Sequence, residues 1–431
     1  MKSKSIARIH KLSQILSVAV ILGALSLSLR AQATYTVSHS FSGSNGAQPT
    51  AALTPDGEGN YYGTTTYGGT SGFGTVFKLS PSSGGGWSET VLYSFTGTTD
   101  GSQPASGVVL DSTGNLYGTT VFGGTFCPSH GCGVAFKLSK SGSVWKENVL
   151  YSFSGTADGG APNGVIFGSG GKLFGSAATG GSSGNGVVFE LSKNSGAGWT
   201  ETVIYNFTGG TVGGRNPNGT LTLDAEGRLY GTTAYSGTSG GGIAFRLTPA
   251  KTGAWTETLL HSFTLLNGSD PNGGLIFDSA GNLYGTTQAG GNTADCNGYG
   301  CGTVFKLSPK SAGLWDETVL YEFQQGPDGG VPLAGLVMDA SGNLYGTTFG
   351  GGNADFCGGQ NGCGVVFELS PGTSGYTETV LHDFTDSPDG AAPGAVLARD
   401  SSGNLFGTTF NGGNGADCSG EGCGVVFEVT P

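Results

Sequence analysis

The chain has 431 residues, 85 of them glycine, with 11% charged side chains and a formal net charge of −12. So much glycine can mark disorder, but aromatics make up 10% and recur at fixed intervals between β-branched residues, which supplies the apolar surface a fold needs against its ordering entropy. Long helices are excluded by glycine every few residues, at about 1 kcal/mol per site, and an acidic surface repels phosphate backbones, so nucleic acid is not an expected partner.

Residues 1–33 differ from the rest. Lys2, Lys4, Arg8 and Lys11 make a basic start, Ile15 to Leu29 an apolar core, and Ala31-Gln32-Ala33 a small-x-small cleavage site. This is the pattern of a secretory signal peptide. Its apolar run is shorter than the roughly 20 residues of a spanning helix. An uncleaved anchor is the rival reading, since Arg30 sits close to the cleavage site. Cleavage after Ala33 removes five basic residues and no acidic ones, which takes the charge from −12 to −17. No cysteine follows the apolar run to carry a lipid, and no second apolar segment follows it. A secreted, extracellular or periplasmic location is expected, with no transmembrane segment after cleavage.

From residue 34 onward one heptapeptide recurs. It begins as Gly59-Asn60-Tyr61-Tyr62-Gly63-Thr64-Thr65 and returns around Gly118, Gly175, Gly231, Gly285, Gly346 and Gly407, at spacings of 55, 57, 56, 54, 61 and 61 residues. Such periods mean a propeller, solenoid or array. Each unit holds four strand-like segments. In the second these are Ala105 to Asp111, Asn115 to Thr120, Gly133 to Leu138 and Trp145 to Phe153. The last alternates only in part, because Leu150 breaks the period of two. Four antiparallel strands per unit and seven units predict an all-β, seven-bladed β-propeller over residues 34–431. A β-helix, the main rival, repeats at shorter periods. The ends fit closure: Tyr35 to Phe41 matches the fourth segment and Gly424 to Thr430 the third, so the N-terminal strand completes the last blade. Closure hides sheet edges.

We label the strands a to d from the axis outwards. The aromatic at Tyr62, Tyr117, Phe174, Tyr230, Tyr284, Tyr345 and Phe406 recurs in every unit, which points to packing between blades. So do Trp87, Trp145, Trp199, Trp255 and Trp315 at the start of strand d, with Tyr376 in that place in blade six. His39, His261 and His382 stand where other blades have Tyr and read as packing substitutions; His130, inside a Cys-bounded loop, is the one histidine with an exposed role in prospect.

Eight cysteines form four close pairs, Cys127/Cys132, Cys296/Cys301, Cys357/Cys363 and Cys418/Cys423, all in b–c loops. They are present or absent as pairs, and an exported protein meets an oxidising compartment, so four local disulfides are expected. Each closes a loop of about six residues, worth roughly 2 kcal/mol on the chain-entropy model. Two thiols per blade are too few for a closed zinc site; no metal and no cofactor is expected, and no loop has the acid spacing of an EF-hand.

The b–c and d–a loops emerge on one face. That face carries the cysteine loops and the Asp-Gly-x-x-Pro stretches that start at Asp100, Asp158, Asp328 and Asp389. Binding residues favour loops on a rigid scaffold, so the candidates are the aromatics after strand b (Tyr67, Phe122, Tyr235, Phe349 and Phe410) and the acids before the first cysteine (Asp295, Asp355 and Asp417). Together they could hold a sugar or peptide; alternatively the aromatics pack beneath the loops and the acids cap turns. No Gly-x-Ser-x-Gly elbow in a strand–helix setting, His-Glu-x-x-His or phosphate-binding Gly-Lys-Ser/Thr loop is present, and no catalytic residue is nominated.

The repeated Gly-Asn-Leu-Tyr-Gly-Thr-Thr, the Gly364 to Ser370 type of strand c and the Val-Leu-Tyr-Ser-Phe of strand d together resemble the GloVer ("choice-of-anchor") tandem-repeat family. That resemblance spans residues 35–431 and implies an exported bacterial repeat protein, without carrying over a catalytic residue. The family's surface-sorting signal is missing after strand c, which ends at Pro431 and favours release or periplasmic residence. The reading is a monomeric binding or interaction scaffold for an extracellular glycan or protein; the alternatives are a secreted propeller enzyme (a lyase or glycan-degrading hydrolase) and a structural envelope component.

Overall fold

The computed structural model describes residues 32–431 except 128–130, 197, 252, 354–356, 358–361 and 417. The expected signal peptide, as far as Arg30 and Ala31, lies outside them. Among the described residues no helix is long and apolar enough to cross a membrane.

Seven antiparallel sheets form seven blades. In blade two, strands a to d are Val109–Leu110, Leu116–Thr120, Val134–Ser141 and Val144–Ser152. The inner strand is thus shorter than the segment Ala105 to Asp111. Only blades three and four have long inner strands, Gly160–Phe167 and Arg215–Leu223. Blade seven is built from both ends of the chain: Thr34–Ser40 pairs with Val425–Thr430, Tyr35 opposite Val429. The expected closure is therefore realised.

The repeat motif explains itself residue by residue. Gly118 of strand b lies directly opposite Phe136 of strand c. A Cβ on Gly118 would come within 2.7 Å of the Phe136 ring, so the glycine makes room for the aromatic to lie across it. That ring then meets Phe95, the last residue of the previous blade's outer segment, at 5.2 Å between centroids. The same Phe–Phe pair stands at all seven seams, from Phe41–Phe77 at 5.1 Å to Phe384–Phe427 at 5.2 Å. All these rings are fully buried, and they form the core. The irregularity at Leu150 is a bulge: Ala135 pairs with Tyr151 and Phe136 with Val149, which leaves Leu150 over.

Each remaining motif residue has a structural partner. In blade two the Tyr117 hydroxyl donates to Asp111 Oδ2 (3.1 Å), which closes the a–b turn with Asn115. Thr119 Oγ1 donates to the Pro162 carbonyl of the next blade (3.2 Å). Thr120 Oγ1 accepts the Val134 N–H (3.2 Å) and fixes the b–c loop. The strand-d tryptophans pack on the strand-b aromatic of the preceding blade, as Trp255 does on Phe174 at 5.7 Å.

Candidate functional site

The seven inner strands surround a central cavity of about 360 Å³. On the loop-rich face its rim is set by one residue per blade before a proline. Gln48, Gln103, Ala161, Asn216, Asp270, Val331 and Ala392 all have φ between 52° and 61°. A non-glycine residue in that region needs support, and the previous blade supplies it. The Val331 N–H donates to the Cys301 carbonyl (2.7 Å), Ala392 to Cys363 (2.8 Å) and Gln48 to Cys423 (2.8 Å). The second cysteine of a pair is therefore the clasp on the next blade.

The four disulfides are formed: Cys127–Cys132, Cys296–Cys301, Cys357–Cys363 and Cys418–Cys423, with Cα separations of 5.3 to 5.8 Å. Each brackets the loop that ends in the clasp. Where no cysteine is present another residue makes the same clasp; in blade three Asn185 gives its carbonyl to the Asn216 N–H (2.9 Å).

The expected site residues separate into groups. Tyr67, Phe122 and Tyr235 fall four residues after the motif glycine and present 36 to 41% of their surface to solvent. Phe349 and Phe410 fall three residues after it. The odd step turns them to the other side of the strand: Val121, at the same place in blade two, lines the central cavity. A Cβ on Gly394, a cavity residue, would sit 3.9 Å from the Phe349 ring. The five aromatics thus form an outer set of three and an inner pair in blades six and seven. Asp295 is half-buried and accepts from Asn292 Nδ2 (2.7 Å) within its own loop. Asp355, Asp417 and His130 lie outside the described residues. Arg215 stacks over Tyr235 at 5.0 Å; it is the one Lys or Arg on this face among the described residues.

The histidines occupy the tyrosine place of strand d. His39 and His261 each accept from an asparagine, Asn45 and Asn267, at 3.0 Å. Burial pushes both down to about 4, so they stay neutral. His382 instead pairs with Asp389 at 3.0 Å.

What the repeat reading missed lies opposite the inner aromatics. The residue after the rim proline is asparagine in three consecutive blades: Asn163, Asn218 and Asn272. Each side chain donates to a neighbour, and the last two are joined directly. Asn163 Nδ2 donates to the Pro217 carbonyl (2.6 Å), Asn218 Nδ2 to Asn272 Oδ1 (2.7 Å), and Asn272 Nδ2 to Gln288 Oε1. The signal was available as Pro-Asn-Gly repeated at 162, 217 and 271. The channel mouth is therefore two-sided, with amides in blades three to five and, in blade six, Leu333 and Phe349, the latter beside Gly394. Among the described residues no group of three or more His, Cys, Asp or Glu could hold a metal ion.

The model of the Gloeobacter/Verrucomicrobia repeat matches this sequence over residues 22–129, 84–295, 128–357 and 293–431. The chain belongs to that family. No curated protein matches it. Among solved structures, a Lactobacillus plantarum protein is 12% identical with a TM-score of 0.51, over 81% of this chain and 88% of that one. The extracellular domain of a B. thetaiotaomicron protein described as a one-component system is 12% identical with a TM-score of 0.52, over 88% and 39%. A luciferin-regenerating enzyme is 16% identical with a TM-score of 0.42, over 75% and 90%. The first two likenesses, at such identity, speak to fold alone.

Proposed function

We propose that this family member is an exported binding scaffold whose ligand seats at the channel mouth of the loop-rich face. One observation carries the reading: the tyrosine and threonines of the repeat motif are engaged in architectural hydrogen bonds, whereas departures from the repeat at the mouth place neutral amides beside apolar groups. Apolar walls with a few placed polar groups are the usual make-up of a small-ligand pocket. Screening the purified protein against glycan and peptide arrays tests it. Binding lost on Asn218→Ala and Asn272→Ala, with the melting temperature retained, is the expected result; a ligand indifferent to both would remove the mouth from the reading.

Export is part of the proposal. The first strand begins at Thr34, directly after the proposed cleavage site, and four disulfides favour an oxidising compartment. Intact-mass measurement of the secreted form should give a chain that starts at Thr34.

The enzyme reading has one observation in its favour. Asp270 lies on the rim, its Oδ1 is buried without a hydrogen-bond partner among the described residues, and burial pushes its carboxyl up. If the mouth turns a substrate over, Asp270→Asn should abolish turnover and leave binding in place.

A further inference from the structure

The chain of amides at the mouth has a direction. Each amide N–H₂ donates to the next carbonyl oxygen, from Asn218 to Asn272 and from Asn272 to Gln288. The donor end is Gln288 Nε2, polarised by the bonds behind it. Gln288 also lines a second cavity of about 290 Å³, between the cysteine loop of blade five and the d–a loop that enters blade six. At the outer end of that cavity stands Tyr299, 68% exposed.

Tyr299 is exposed but its backbone is pinned. Its carbonyl accepts the Gly290 N–H (2.8 Å), its N–H donates to the Cys296 carbonyl (3.2 Å), and the Cys296–Cys301 disulfide brackets it. A flat ring held this way loses little freedom when a ligand covers it. Neither cavity wall contains a charged side chain.

Resting on the scaffold reading above, we infer that the groove from Asn272 through Gln288 to Tyr299 binds a neutral oligosaccharide. A sugar ring offers the two surfaces this groove matches: dense hydroxyl acceptors for the amide end and an apolar C–H face for the tyrosine. A peptide fits less well. Capturing one by strand addition needs an open edge, and the inner strands at this seam, Ile276–Phe277 and Val337–Met338, are two residues long. An anionic ligand lacks a cation here, since Arg215 belongs to blade four.

The test is calorimetry with neutral oligomers of hexose, pentose and N-acetylhexosamine, of about four to six units, against the full disulfide-bonded protein. Tyr299→Ala should weaken binding at least ten-fold, and Tyr299→Phe should stay within about three-fold, because the ring face is kept. Gln288→Leu should weaken it comparably; Phe126→Ala, an exposed ring in the b–c loop of blade two on the same face but away from the groove, should not. Tyr299 is exposed, so its variants do not test folding. If a peptide binds in place of sugars and is lost on Tyr299→Ala, the scaffold stands and the sugar is wrong. If sugars bind but ignore Tyr299 and Gln288, the groove is wrong. If nothing of either class depends on the mouth or the groove, both readings fall.

Discussion

Seven seams hold the ring, and one of them differs from the rest. At the seam between blades one and two, Tyr93 donates to Asp100 (3.0 Å), and Glu147 of the next outer strand faces that pair. A glutamate stands in this place in six blades: Glu89, Glu147, Glu201, Glu257, Glu317 and Glu378. In each, one carboxylate oxygen is buried without a hydrogen-bond partner among the described residues. At the closing seam the place is taken by Tyr35. Its ring stacks on His382 at 3.6 Å and 6°, and its hydroxyl donates to the Asp389 carbonyl (2.6 Å). Where the chain is continuous, the seam tolerates a buried acid. Where the N-terminal strand packs on blade six, the seam uses a ring stack and a neutral donor instead.

Removing the closing strand should break this comparison outright. Without residues 35–41, blade seven loses its outer strand and Phe77 loses Phe41. The loss should exceed the roughly 5–15 kcal/mol of a typical domain, and the truncated protein should aggregate. A truncated protein that elutes as a monomer with the full-length melting temperature would show that the ring does not need its clasp.

Acidity should act on the six ordinary seams together. Burial, with a neighbouring Asp where one is present, pushes Glu89, Glu147, Glu201, Glu317 and Glu378 up to about 7, and Glu257 also up. The folded state therefore holds protons that the unfolded chain releases above the usual carboxylate range. The resulting stability is fully present near pH 4.5 and is lost as pH rises through 7. His39 and His261 oppose it, because their folded values of about 4 cost stability as pH falls below 6.5. Between pH 8 and 6.5 the glutamates act almost alone. The melting temperature should climb over that interval, by about 4 °C for a chain of this size. A melting temperature that is flat or falling there would mean that the seams are hydrated.

The fold was legible because its rules repeat. The glycine of Tyr-Gly-Thr-Thr and the phenylalanine of strand c each follow from a contact that every blade makes, so seven copies point the same way, and the cysteines come in four matched pairs. The candidate site was legible only in part, because it lives in the departures. Phe349 and Phe410 looked equivalent to Tyr67, but a one-residue offset from the motif glycine sends them to the opposite side of the strand. The amide chain was hidden differently. Pro-Asn-Gly at three consecutive blades is visible in the sequence, but that Asn218 reaches Asn272 and Asn272 reaches Gln288 depends on how closely neighbouring inner strands approach. Gly219 marks that approach, since a Cβ there would lie 2.8 Å from the Asn272 carbonyl.

A smaller effect should separate the closing seam from the others by a single ring. Tyr35→Ala removes the stack on His382 and the bond to Asp389 and should cost about 2 kcal/mol. His382→Ala in the same background should then cost less than it does alone, by about 1 kcal/mol, because the two rings share one contact. Additive losses in chemical denaturation would mean that the stack contributes nothing of its own.

The smallest effect tests an ordinary seam alone. Glu147→Gln replaces a carboxyl by its neutral near-isostere, which resembles the protonated form. At pH 8 the native glutamate is a half-buried anion facing Asp100, so the variant should be more stable by about 1 kcal/mol. At pH 5 the native side chain is itself protonated, and the two proteins should unfold together. The gain should therefore grow as pH rises from about 4.5 to about 7 and level off above that, and the variant's stability should rise less steeply as the solution is acidified. A gain of equal size at both pH values would assign it to packing, and no gain at pH 8 would show that water reaches the glutamate despite its place between two blades.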